Sequence, residues 1–168
     1  SARADYALRA CAELALAGES RLKREEIASR QDIPIQYLES VLLALKHAGV
    51  VQSLRGAAGG FRLARPPADI SLADVIRAVD GPMADVRGDR PEEVEYLGPA
   101  RRLQDIWVAL RASLREILEG TSLDDLVNGT LSPEIERLLE LPDAWVSLNR
   151  VRPGAQFRTA TRGHRSGG

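Results

Sequence analysis

Few residues in this 168-residue chain are of the types that carry covalent or metal chemistry. There is one cysteine, Cys11, and there are two histidines, His47 and His164. One thiol per chain allows no intrachain disulfide and no cysteine-rich zinc or iron–sulfur site. Neither histidine has a nucleophile or a carboxylate at a recognisable motif spacing, as nucleophilic or acid–base catalysis requires. Asp124 and Asp125 could suggest a metal. After Thr121 and Ser122 they fit better as first-turn acids of a short helix, facing the positive end of its dipole. An enzyme is the weakest class of function for this sequence.

The other stretch that suggests chemistry is LRGAAGGFRLARP, Leu54 to Pro66. Gly56, Gly59 and Gly60 could cradle a phosphate that Arg55, Arg62 and Arg65 would neutralise. A P-loop, however, needs Lys-Ser/Thr and a helix start directly after its glycines, and neither follows. A dinucleotide fingerprint needs a βαβ unit, which is missing as well. A hairpin, or a contact with another molecule, is left.

The elements around the stretch narrow that choice. Ala7, Leu8, Cys11, Leu14 and Ala15 follow a three/four spacing, so Ala2 to Ala17 is expected to be an amphipathic helix ending at Gly18, with Cys11 buried on its apolar stripe. The chain opens inside this helical pattern, so a few residues are expected to precede Ser1. A short helix follows over Arg24 to Arg30, broken at QDIP because Pro34 disfavours helical geometry at Ile33. Leu38, Val41, Leu42 and Leu45 then mark one buried stripe on a third helix, Ile35 to Ala48, stopped by Gly49. Two short helices joined by a tight turn make a helix-turn-helix. Val50 to Leu54 and Phe61 to Ala64 read as strands around the turn at 56–60, and a β-hairpin placed there is a wing.

Ser71 and Asp74 form a capping box for a helix running to Asp80, with Leu72, Val75, Ile76 and Val79 on its apolar face. Gly81 to Gly98 has no convincing period and reads as a loop or mobile segment. The longest helix is expected over Pro99 to Glu119, where Leu103, Ile106, Trp107, Leu110, Leu114, Ile117 and Leu118 keep the three/four spacing. That stripe needs a partner, and a second copy of itself is the simplest one. Thr121 is expected to cap SLDDLV, and Ser132 with Pro133 to open a helix to Leu141. Beyond Pro142 come five arginines and one acid among Gly, Ser and Thr, a tail expected to be poorly ordered.

With 44% apolar and 28% charged residues the composition is globular, and no run spans a bilayer or opens as a signal peptide. Residues 1–65 carry ten Lys/Arg against seven Asp/Glu, and residues 66–130 carry seven against thirteen. The first third is thus the more suited to a polyanion, by a small margin.

Several motifs together resemble the Rrf2 family of bacterial transcription regulators. They are Tyr6-Ala7-Leu8-Arg9, Gln36-Tyr37-Leu38-Glu39, Ala48-Gly49-Val50-Val51, Ser53-Leu54-Arg55-Gly56, and Gly59-Gly60-Phe61 with Leu63. The helix from Ile70-Ser71-Leu72 to Val79-Asp80-Gly81, then Trp107, and Ser122-Leu123-Asp124-Asp125-Leu126 extend the match over roughly residues 2–128. The resemblance implies a mainly α fold with a small β-hairpin wing, a winged helix-turn-helix plus a long dimerisation helix. It implies a homodimer on double-stranded DNA, addressing two half-sites of a palindromic operator. It also places DNA contacts at Gln36, Tyr37, Glu39, Ser40, Arg55 and Gly56. The chemistry agrees: glutamine can bond adenine twice, glutamate can accept from cytosine N4, and tyrosine or serine can take a phosphate. Arginine at a wing tip can enter a narrow minor groove, and glycine lets the backbone approach.

One family feature is missing. Many members hold an iron–sulfur cluster on three cysteines between the post-wing helix and the long helix. Here Gly88 stands where the first would be and Arg101 near the last, with no cysteine between. No cofactor is therefore expected, and the chain resembles the cluster-free branch, whose regulators of cysteine metabolism respond through a partner enzyme or a small metabolite.

The expected organisation is a DNA-binding domain over 1–66, a post-wing helix and variable segment over 67–98, and a dimerisation helix with a short closing helix over 99–130. A C-terminal helix and tail occupy 131–168. The expected function is a cytoplasmic, dimeric, sequence-specific regulator, a repressor, answering to a small-molecule effector or an enzyme partner and not to a membrane. The competing expectation is a winged-helix adaptor for a metabolic enzyme with little DNA binding.

Overall fold

A computed structural model of the chain describes residues 1–147. Helices α1 (Ala2–Ala17), α2 (Arg24–Gln31) and α3 (Ile35–His47) are followed by strands β1 (Val51–Leu54) and β2 (Gly60–Leu63). Helices α4 (Leu72–Asp80), α5 (Leu103–Glu119), α6 (Leu123–Asn128) and α7 (Pro133–Leu139) complete the order. The expected mainly helical fold with a hairpin wing is the one observed.

One core organises these elements. The apolar stripes of α1 (Ala7, Cys11, Leu14) and α3 (Leu38, Val41, Leu42, Leu45) meet those of α4 (Val75, Val79) and Leu123 of α6. Burying a leucine-sized side chain contributes roughly 1.5–3 kcal/mol, so this shared cluster is the main source of stability. The turn between α2 and α3 is made by Asp32, held in the left-handed region at φ 49°, and by Pro34, after which α3 begins. The wing is an antiparallel pair with Val51 opposite Leu63 and Leu54 opposite Gly60. Leu22, between α1 and α2, adds a third position to it by exchanging hydrogen bonds of 3.0 and 2.9 Å with Phe61. At Gly60 this edge leaves no room for a side chain, since a Cβ would stand 2.9 Å from the Leu22 carbonyl oxygen.

Several boundaries differ from expectation, each for a local reason. Thr121 is not the cap of α6. Its hydroxyl donates back to the Ile117 carbonyl at 2.8 Å, and Ser122 caps instead, accepting from Asp125 N at 3.0 Å. Helix α5 starts at Leu103, four residues later than expected, because Gly98 to Ala100 makes a separate 3-10 turn with Gly98 at φ 55°. Helix α7 stops at Leu139, two residues short of Leu141, which the following Pro142 biases away from helix. The 81–98 segment is a loop as expected, but an anchored one: Pro91 and Val94 are buried, and Val86 and Asp89 pair through 2.9 and 3.0 Å backbone bonds. Two anchors at isolated positions leave no periodicity to read. Of the arginine-bearing tail, residues 148–168, including His164, lie outside the described residues.

A final pairing joins distant parts. Leu72 N donates to the Thr121 carbonyl and Leu123 N to the Ile70 carbonyl, both at 2.9 Å, so the capped starts of α4 and α6 lie side by side.

Candidate nucleic-acid interface

Helix α3 separates its two faces cleanly. Leu38, Val41, Leu42 and Leu45 are buried, whereas Gln36, Tyr37, Glu39 and Ser40 are all exposed on the first two turns. No side chain caps its N-terminus at Pro34, which leaves the positive end of the dipole open toward that face. Three of the four polar residues are already oriented by neighbours. The Tyr37 ring lies against Tyr6 of α1, centroids 6.2 Å apart and tilted by 38°. Arg9 sits over the Tyr6 ring at 5.1 Å, donates to the Gln31 carbonyl at 2.6 Å and pairs with Asp5 at 3.0 Å. The Ser40 hydroxyl donates to the Tyr37 carbonyl at 2.9 Å, so its lone pairs, not its proton, face outward. Glu39 is ion-paired with Arg24, the first residue of α2. Arg24 also holds Glu25 at 2.8 Å; the Glu25 hydrogen bond, opposed by some desolvation and aided by Glu39, pushes the guanidinium above its ordinary range.

The wing tip carries Arg55 and Gly56, both exposed. Gly56 sits at φ 98°, a conformation that a side chain would strain. Arg21 donates to the Ala58 carbonyl at 3.2 Å and fixes the tip from the α1–α2 connection. The other two arginines of the stretch are engaged, Arg62 with Glu19 at 3.1 Å and Arg65 with Asp74 at 3.7 Å. Arg55 has no ion-pair partner among the described residues.

Between α3 and the wing runs a shallow groove of about 320 Å³ that includes Arg24, Glu39, Leu43, Lys46 and Phe61. Sequence reasoning did not single out Arg24, Arg21 or Tyr6 as parts of this face. Arg24 and Arg21 reach it across elements, so no spacing signals them. Lys46 was legible: Glu39, Leu43 and Lys46 follow a four/three spacing on one side of α3.

The expected dimerisation residues lie away from this surface, on α5, none of whose residues is buried. Ile106 and Leu110 are the outermost, at 59% and 46% exposure. Leu103, Trp107, Leu114 and Ile117 are half-buried. Trp107 turns inward, its Nε1 donating to the Tyr96 hydroxyl at 3.1 Å.

The model of the Rrf2 family, described as iron-dependent transcriptional regulators, matches residues 1–129. The chain belongs to the Rrf2 family. The Mycobacterium tuberculosis protein Rv1287 is 42% identical over 156 residues, covering 92% of this chain and 95% of its own. The Bacillus subtilis transcriptional regulator CymR is 35% identical over 131 residues, 77% of this chain and 90% of its own. The solved structure of CymR, the global cysteine regulator of that organism, superposes with a TM-score of 0.66 over 77% of this chain and 96% of its own, at 35% identity. That of IscR from T. potens gives 0.63 at 28% identity over 82% and 94%. This Rrf2 protein is therefore a transcriptional regulator of a DNA-binding family and not an enzyme.

The family's iron chemistry does not fit the residues present. The only thiol of the sequence, Cys11, is fully buried between α1 and its neighbours, and its burial pushes the pKa up to about 12. Among the described residues no three His, Cys, Asp or Glu side chains are grouped to hold a metal ion. No helix of the described residues is long and apolar enough to cross a membrane.

Proposed function

We propose that this Rrf2 protein is a homodimeric, cytoplasmic repressor that binds a palindromic operator without an iron–sulfur cluster. The observation that carries the reading is the polar, exposed face of α3 beside a wing tip whose Arg55 has no ion-pair partner among the described residues. In this reading α3 enters the major groove. Gln36 reads an adenine edge, Glu39 accepts from cytosine N4 as Arg24 yields it, and Ser40 accepts from a base amino group through its outward lone pairs. Tyr37, braced by Tyr6, meets a phosphate. Arg55 enters the neighbouring minor groove, where Gly56 allows the backbone to come close. Two copies joined through α5 present two recognition helices to half-sites about one helical turn, roughly 34 Å, apart. An effector or enzyme partner acting on the 81–98 segment or α5 changes that spacing and releases the operator.

The experiment is a titration of the protein with DNA from upstream of its own gene and with a scrambled duplex, each at two salt concentrations. The expected result is tighter binding to the upstream DNA, weakening with salt because phosphate contacts release counterions. Equal, salt-independent affinity for both duplexes would refute the reading.

A further inference from the structure

Four arginines converge on a cleft that none of the DNA-facing elements helps to form. Arg77 comes from the last turn of α4, Arg111 and Arg115 from adjacent turns of α5, and Arg90 from the connecting segment. The cleft measures about 450 Å³, within the usual range for small-molecule sites of roughly 300–1,000 Å³. Its walls are mostly polar side chains and the turn at Gly81 and Pro82. No residue of α2, α3, β1 or β2 lines it.

The arginines are held in place by acids without being used up by them. Arg111, whose side chain is only 11% exposed, pairs with Glu92 at 2.5 Å. Arg77 pairs with Glu119, which Arg115 reaches only at 3.9 Å. Arg90 is 4.0 Å from Glu93. Each guanidinium carries five N–H donors in a planar fork, so donors remain on all four. Two acids line the cleft with them, Glu92, which Arg111 holds, and Asp85, which is exposed to solvent. Carboxylate and phosphate groups match the spacing of such forks, and a partly desolvated arginine binds them more strongly than one on an open surface.

We propose that this cleft binds a small polyanion bearing carboxylate or phosphate groups. The ligand bridges α4 to α5. Helix α4 shares its core with α1 and α3, and α5 carries the exposed Ile106 and Leu110, so a bridging ligand sets the angle between the pairing face and the recognition helix. This regulatory consequence rests on the dimeric DNA-binding reading above; the binding site itself does not.

The test separates the two. Calorimetric titration of the full chain in the absence of DNA, with citrate and with inorganic pyrophosphate as probes, is expected to show saturable binding of at least one, at one site per chain. The probe that binds identifies carboxylate or phosphate as the preferred group. Arg90→Gln and Arg115→Gln, at side chains 70% and 49% exposed, keep the fold by circular dichroism and weaken binding at least tenfold. Arg65→Gln, outside the cleft, leaves it unchanged. Saturable binding of neither probe, or equal binding by wild type and both cleft variants, would overturn the site. A probe that binds without shifting operator affinity in a parallel DNA titration would overturn the coupling, and a chain that binds no DNA would leave the calorimetry standing.

Discussion

Cys11 shows what a single residue can and cannot do in its setting. Burial with no compensating charge holds its thiol neutral up to about pH 12, so it is poorly suited to redox sensing or metal ligation. We expect Ellman's reagent to leave it unmodified in the native protein at pH 7.5 and to label it fully in denaturant; fast native labelling would show that the core opens. The sign for stability follows from the same shift. Above pH 9 the unfolded chain loses this proton while the folded chain keeps it, so stability falls as pH rises from about 9 toward 12. Arg55 is the opposite case, exposed and unpaired among the described residues. Arg55→Ala is expected to weaken operator binding roughly tenfold and to lower the salt slope by about one, with melting temperature unchanged. Fluorescence anisotropy across a salt series measures both, and an unaltered affinity would reduce the hairpin to a structural one. Residues such as Gln36 and Arg55 were legible because their exposure follows from local periodicity and a turn. The Arg24–Glu39 pair was not, because it forms between two helices whose relative placement is tertiary.

At the level of elements, the helices were legible wherever an apolar stripe and a cap coincided. Leu38 to Leu45 with Gly49, and Ser71 with Asp74, placed α3 and α4 closely. The start of α5 was not, since the apolar stripe says nothing about whether Gly98 and Pro99 continue a helix or make a separate turn. At α6 two hydroxyls competed for one role, and the longer reach back to Ile117 took Thr121 out of it. Ser122→Ala is therefore expected to destabilise the protein by about 1 kcal/mol, and Thr121→Ser to leave α6 capped. The Asp125 carboxyl, hydrogen-bonded by the Ser122 side chain and then its backbone, is held below the usual carboxylate range. Its contribution is thus present at neutral pH and is lost as pH falls through that lowered value into acid. Chemical denaturation of Asp125→Asn should show a flatter acid limb than wild type; identical pH profiles would remove the capping box from the stability of this end.

For the molecule as a whole, α5 is an element with an outer face that the described residues leave uncovered. Ile106 and Leu110 on that face are too exposed to matter much to the folded monomer, so changing them separates assembly from folding. Ile106→Glu with Leu110→Glu is expected to convert a dimer to a monomer in light scattering while circular dichroism stays native. Loss of dimerisation should also weaken operator binding by more than tenfold, since two linked half-site contacts become one. A wild-type chain that is monomeric at all concentrations would remove the pairing role from α5. The sequence pointed to this face by its length and spacing, but it could not divide the stripe. Trp107 is turned toward Tyr96 of the 81–98 segment while Ile106 stays outside, a division made by tertiary contacts.

The pairing of the starts of α4 and α6 has a consequence for how such a protein can change over time. Two backbone hydrogen bonds close the chain at Ile70–Leu72 and Thr121–Leu123, so everything between departs from one point and returns to it. Past α4, the connection over 81–102 leads out to α5 and the chain returns to the same point at Thr121. Doubling the length of a closed flexible loop costs only about 0.6 kcal/mol. Residues can be inserted or exchanged in the α4–α5 connection without shifting the register of α1, α3 and the wing, because the closure at α4 and α6 holds that body together on its own.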